Sequence, residues 1–271
     1  MAYLPRAAAG LTLAALIGAS AASQATIVQF QTVMGDFEVN LYDETTPETV
    51  ANFLEYVEAG AYSDSFMHRS VPGFIVQGGG FHYDIENAKF NSIATNEPVI
   101  NEPLLSNQRG TIAMAKLPNK PNSATNQWYF NLKNNSSNLD LTNSGYTVFG
   151  EVTGNGMAII DAIAALRVED FRASDGAFAE LPLRNLSDDA IDDQIVITED
   201  HLVMVHNIVV LDAAVDTAAD LDPMPTTRDD SEPGNGGGNG GDSGGGGGSV
   251  SWLMLLGLLG AGLARRVGRQ R

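Results

Sequence analysis

The chain contains no cysteine. That excludes disulfides, thiolate zinc sites, a cysteine nucleophile and a lipid anchor on an N-terminal Cys. Histidine is nearly as scarce. His68, His82, His201 and His206 are all there is, and no pair has the His-Glu-x-x-His arrangement of a zinc hydrolase. No metal site or cofactor is expected. Basic residues are few as well: 15 Lys and Arg stand against 33 Asp and Glu, a formal charge of −18 over 271 residues. The imbalance is larger in the middle. Setting residues 1–25 and 250–271 aside leaves 10 basic against 33 acidic residues, a net −23. Such a body repels nucleic-acid phosphates and anionic membrane surfaces, so no nucleic-acid partner is expected, and screening keeps it soluble in salt. Gly78, Gly79 and Gly80 form a glycine run. They lack the Lys-Ser/Thr ending and strand-to-helix setting of a phosphate loop, which leaves turn or close-approach roles. What is present is 44% hydrophobic, enough for a sizeable core. No internal repeat is visible.

The two ends read as processing segments. "MAYLPRAAAGLTLAALIGASAASQA" (1–25) has a basic start at Arg6, an apolar run and small residues before Thr26, the pattern of a secretory signal peptide. After the body, 216–249 is an acidic and then glycine-rich linker, the kind that stays extended and flexible. "VSWLMLLGLLGAGLA" (250–264) is a short hydrophobic helix candidate, followed by a basic tip at 265–271. The run is short for a stable membrane span, and its arginines would remain on the cytoplasmic side. This tail resembles the GlyGly-CTERM sorting signals of Gram-negative bacteria. The resemblance implies a rhombosortase-type protease partner and export to the periplasm, cell surface or medium, with transient anchoring in the inner membrane. A plain C-terminal anchor is the alternative.

Between these ends, 26–215 reads as one domain. "IVQFQTVMGDFEVNLYD" (27–43) gives two extended runs about Met34-Gly35-Asp36, a hairpin signal. "TTPETVANFLEYVEAGAY" reads as a helix capped by Thr46, with Pro47 in its first turn and Gly60 at its stop. Val50, Phe53, Leu54 and Val57 share one face of it. Extended segments are predicted at 73–77, 110–115, 127–132, 146–152 and 201–212. A second helix is predicted over 156–166, with Met157, Ile160, Ile163 and Ala164 inward. Residues 167–200 are acidic and read as a long loop insertion. Many short strands with two helices suggest a mostly antiparallel barrel.

"FMHRSVPGFIVQGGGF", "NEPLLSNQRGTIAMA", "SATNQWYFNL" and "NLDLTNSGYTVFGEVTGNGMAIIDAI" resemble, in order, blocks of the cyclophilin-type peptidyl-prolyl cis-trans isomerases. The resemblance runs from about Ile27 to Asp212. It implies a mostly β fold: a closed, antiparallel, eight-stranded barrel capped by two α-helices. It implies an isomerase that speeds X–Pro rotation in exported proteins and assists their folding, acting as a monomer on proline-containing polypeptides. By the same resemblance Arg69 is the catalytic arginine, Gln77 holds substrate backbone, and His68 stands beside the arginine. Phe74, Ile75, Tyr129, Leu139, Tyr146 and Gln127 take the substrate-binding positions. The residue types suit the chemistry. Amide conjugation raises a barrier of about 18–20 kcal/mol to rotation, and twisting returns a lone pair to the prolyl nitrogen. A guanidinium, protonated at any ordinary pH, can donate to that nitrogen, and the enzyme need only bind the twisted amide better than the planar forms.

Several positions depart from the family's pattern. Ile75 stands for the common Met, Tyr129 for Phe, Asn138 for an aromatic residue tied to cyclosporin affinity, and Gly80 for Asp. Tyr146 stands where many eukaryotic members have His. With the surface-sorting tail, these changes support a second reading, a cyclophilin-like binding module with little turnover; the intact Arg69 and Gln77 favour the enzyme. The tail reading has its own test. Mass spectrometry of the mature protein from fractionated cells is expected to find no residues after about Gly248, with the protein at the surface or in the medium. Full-length chain ending at Arg271 and held stably in the inner membrane would favour the plain anchor.

Overall fold

The chain enters the fold through the expected hairpin. In a computed structural model, described for residues 26–172, 174–186, 197–212 and 221–229, β1 (Ile27–Thr32) and β2 (Gly35–Leu41) pair in antiparallel register from Ile27↔Asn40 to Thr32↔Gly35. The leader 1–25 and the tail 250–271 lie outside the described residues. Among the described residues no helix is long and apolar enough to cross a membrane.

After the hairpin come α1 (Pro47–Glu58), β3 (Ser65–Phe66), β4 (Arg69–Val71), β5 (Ile75–Gly78), β6 (Phe81–Asp84), β7 (Lys89–Ser92), β8 (Thr111–Met114) and β9 (Trp128–Asn131). Then follow the one-turn α2 (Ser136–Leu139), β10 (Val148–Val152), α3 (Gly156–Ala164), β11 (Arg167–Glu169), β12 (Leu181–Leu183) and β13 (Met204–Asp212). The main sheet is antiparallel, in the order β4-β5-β9-β8-β10-β2-β1-β13-β3-β6-β7. The expected barrel is therefore not closed by hydrogen bonding: the ladder ends at β4 on one side and β7 on the other. The reason lies in one bent run. β3 and β4 are its two halves, and between them the chain changes partner. Phe66 pairs with Met204, whereas Arg69 pairs with Gln77. At the switch, the Met67 N–H donates to Val203 O at 3.0 Å and the His68 N–H to Gln77 O at 3.1 Å. The covalent chain joins the two sides where the ladder breaks, and the catalytic candidates sit just after the break.

One face of this sheet buries a core in which aromatic rings dominate. Phe30 stacks on Phe37 at 5.0 Å and meets Trp128 edge-on at 5.1 Å. α1 adds Val50, Phe53 and Val57 to the same core, and α3 adds Ile160 and Ile163, the faces read from their helical spacing. The glycine run is explained by this core. A Cβ on Gly78 would lie 2.6 Å from the Trp128 ring; one on Gly79, at φ +77°, would lie 2.6 Å from Asn126 O. Both positions need close approach of backbone to neighbour.

Three features differ from the sequence reading. First, the Thr46 side chain does not cap α1; its hydroxyl donates to Tyr42 O at 3.3 Å. The cap comes from Glu102, whose carboxylate accepts from Thr49 N at 2.9 Å and Thr49 Oγ1 at 2.7 Å. An acid there also favours the helix N-terminus. Second, the described part of 167–200 is not simply loop. β11 pairs with β12, and Phe178, Leu181 and Leu183 are buried with Phe66, Phe81 and Met204 in a second apolar cluster. Its strands are too short for a periodic signal. Third, residues 221–229 of the expected linker lie against the body as a strap. Ser106 N donates to Met224 O at 2.8 Å and Thr226 N to Leu104 O at 2.9 Å. Thr227 gives two 3.0 Å bonds to Asp140.

The cap assignment is testable. Glu102→Ala should cost about 1 kcal/mol in denaturant unfolding, and Thr46→Ala clearly less; the reverse order would contradict it.

Candidate active site

The site begins at register. Arg69 lies opposite Gln77 across β4 and β5, and Gln77 lies opposite Tyr129 across β5 and β9. Because alternate residues of a strand share a face, this pairing puts an arginine, a glutamine and an aromatic ring side by side. The Arg69 side chain is only 13% exposed. Its Nη1 points at Gln77 Oε1 from 3.5 Å, and Gln77 Nε2 donates to Gln127 Oε1 at 2.8 Å. The order Arg69–Gln77–Gln127 thus forms a polar rail.

Beside the rail is an apolar cluster. Ile75, Tyr129, Leu139 and Tyr146 are buried in it with Tyr42, Leu105, Ala113 and Val148, while Phe74, Val71 and Ala115 pack at its partly exposed side. All five apolar or aromatic residues inferred from the sequence are therefore together. Ile75, Tyr129 and Leu139 form a sealed floor, at 1% exposure or less; Phe74, with Val71 and Ala115, is where the cluster meets solvent.

The Tyr129 hydroxyl is engaged by a buried partner. It donates to Asn107 Oδ1 at 2.9 Å, inside a polar network beneath the floor. Asn107 N and Nδ2 donate to Asp140 at 2.8 and 3.0 Å, and Ser106 Oγ donates to it at 2.7 Å. Burial acts to raise the Asp140 pKa, but bonds from Asn107, Thr227 and Ser106 together hold the carboxyl below its ordinary value. Asp140 directly follows Leu139, so the network fixes one wall. Lys116 fixes another. It is buried, with Nζ donating to Asn101 Oδ1 and Asn143 O at 3.0 Å each and to Gly145 O. The same Nζ lies 4.7 Å from the Tyr146 ring centre. Burial first, and the Arg228 charge second, bring its pKa down to about 7.

His68 lies buried next to Arg69, its ring edge-on to Phe81 at 5.0 Å. Among the described residues its Nδ1 has no hydrogen-bond partner. Burial, and then the Arg69 charge, lower its pKa to about 3 against a smaller opposing bond with Gln127. The ring is neutral at physiological pH, a poor base. Sequence reasoning missed one polar neighbour of the arginine. Arg69 Nε donates to Glu180 Oε2 at 2.7 Å, an acid from the insertion, 111 residues away with no local motif to announce it. Asn138 is half-buried on α2, and its backbone carbonyl accepts from the Thr142 hydroxyl at 2.9 Å. The set offers fixed N–H donors beside an apolar floor. It suits electrostatic binding of a polarised amide, not proton transfer or a covalent intermediate.

Comparisons with known proteins bear on the family. The family model for "Cyclophilin type peptidyl-prolyl cis-trans isomerase/CLD" matches residues 27–186. Peptidyl-prolyl cis-trans isomerase A of Dickeya dadantii is 42% identical over 164 residues, covering 59% of this chain and 82% of the relative. A peptidyl-prolyl cis-trans isomerase of Acinetobacter baylyi is 38% identical, covering 57% of this chain and 80% of its own. Peptidyl-prolyl cis-trans isomerase B of Escherichia coli is 41% identical, covering 51% and 83%. A solved cyclophilin-type isomerase of Cryptosporidium parvum aligns at a TM-score of 0.46 and 19% identity, covering 69% of this chain and 98% of that one.

A neutral His68 has a consequence for stability. Its folded pKa lies below the unfolded value, so between about pH 6.5 and 3 the unfolded chain binds the extra proton and stability falls with falling pH. The slope from this one group approaches about 1.4 kcal/mol per pH unit. Unfolding curves of the wild type and His68→Gln should diverge by that trend; an NMR titration of the His68 ring near pH 6.5 in the folded protein would contradict it.

Proposed function

The chain belongs to the cyclophilin-type peptidyl-prolyl cis-trans isomerases, and from that membership we propose how its own residues carry the reaction. The substrate is an X–Pro bond in a polypeptide. The proline ring rests on the Ile75, Tyr129, Leu139 and Tyr146 floor, with Phe74 at the rim. Gln77, braced by Gln127, holds backbone. An N–H of Arg69 donates to the prolyl nitrogen as the amide twists and its lone pair localises. That donation is weak in the planar amide and strong in the twisted one, so it lowers the barrier rather than merely tightening binding. The observation that carries the reading is the cross-strand pairing of Arg69 with Gln77 at the edge of the apolar cluster. His68 supports the arginine by packing and by keeping the surroundings neutral.

The clients are exported proteins in this reading, and the enzyme works as a monomer in the periplasm, at the cell surface or in the medium. Its support is the leader-like 1–25 and the glycine-linked, arginine-ended tail, which a rhombosortase-type protease would remove. The acidic body fits a soluble helper that avoids anionic membranes.

Arg69→Ala should lower kcat/KM on a proline-containing peptide by about 100-fold or more with the fold intact. Arg69→Lys should restore little, since an ammonium does not reproduce the planar fork. Unchanged turnover in Arg69→Ala would refute this mechanism.

A further inference from the structure

We propose that Glu180 is a positioning residue for Arg69, so that the segment 174–186 completes the active site; this rests on Arg69 being the donor described above. The contact is direct: Arg69 Nε to Glu180 Oε2, 2.7 Å. It is also placed with care. The Ser70 N–H donates to Glu180 O at 2.8 Å, so the main chain of residue 180 is tied to β4 next to the arginine. Phe178 and Leu181, on either side, are fully buried, and β12 is held through its pairing with β11. Glu180 is presented by a braced segment rather than by a free loop.

The pair is unsuited to a mainly stabilising role. The Glu180 side chain is 36% exposed, and ion pairs in that setting contribute little net stability. Its effect falls on orientation. A guanidinium is planar. With Nε held by Glu180 and Nη1 facing Gln77 Oε1, two directions in that plane are set. Nη2 has no hydrogen bond among the described residues and is the nitrogen left to the peptide. Without Glu180 the side chain would keep its charge but sample other rotamers, and a donor misplaced by about 1 Å can cost up to 100-fold in rate.

The test is kcat and KM on a proline-containing peptide for the wild type, Glu180→Ala, Glu180→Gln, Arg69→Ala and the Arg69→Ala/Glu180→Ala double variant. Glu180→Ala should lower kcat about tenfold with KM little changed, and Glu180→Gln should stay within about threefold of the wild type, because its amide oxygen still accepts from Nε. In the Arg69→Ala background, Glu180→Ala should cost nothing further, since it acts through the arginine. Wild-type kcat in Glu180→Ala, or a second loss of equal size in the double variant, would overturn the proposal while leaving Arg69 as the donor. Full activity in Arg69→Ala would overturn both.

Discussion

The structure turns on holding one guanidinium in place beside an apolar floor. Arg69 reaches its position because the chain changes partner between Phe66 and Arg69. That switch breaks the hydrogen-bonded ring but puts the arginine opposite Gln77. From there its contacts diverge: Glu180 on one edge, Gln77 on another, and the neutral ring of His68 in the preceding position. An arginine held this way keeps its donors aimed and has little freedom to move. Those properties are what the proposed mechanism requires, in which binding the twisted amide better than the planar one supplies the catalysis.

The floor is held from beneath by polar groups. Tyr129 places its ring in the apolar cluster and gives its hydroxyl to Asn107. Asn107, Ser106 and Thr227 converge on Asp140, and Lys116 ties Asn101, Asn143 and Gly145 around Tyr146. Buried groups of this kind must be satisfied to be tolerated, and here their bonds run to the loops bearing Leu139 and Tyr146. The 221–229 strap joins the same network through Thr227, while the Arg228 guanidinium donates to Ser144 O. The segment that begins the tail is thus also a brace for the pocket wall.

Much of this was legible in the sequence, for local reasons. The hairpin, both longer helices and the strands at β5, β8, β9, β10 and β13 carry their own periodicity and turn residues. The residues of the pocket floor come from ordered motifs, and the structure brings them together. What was not legible acts at long range. Local spacing puts the α1 cap on Thr46, whereas the actual acceptor, Glu102, lies 53 residues from Thr49. Glu180 could not be tied to Arg69 across 111 residues by spacing alone. The order in the described part of 167–200 rests on a few buried side chains, Phe178 in a one-turn 3-10 helix and Leu181 in a three-residue strand among them, in elements too short for a pattern. The open ladder follows from a partner change at Met67 and His68 that no residue type marks.

Catalysis in this reading depends on which atom of the protein meets which atom of the peptide. A crystal structure of the body with a short proline-containing peptide tests it most directly. The proline ring should lie on the Tyr129 and Leu139 floor beside Phe74, with an Arg69 Nη nitrogen within about 3.5 Å of the prolyl nitrogen. A peptide bound with its proline elsewhere, or with Arg69 turned wholly toward Glu180 and away from the prolyl amide, would contradict it.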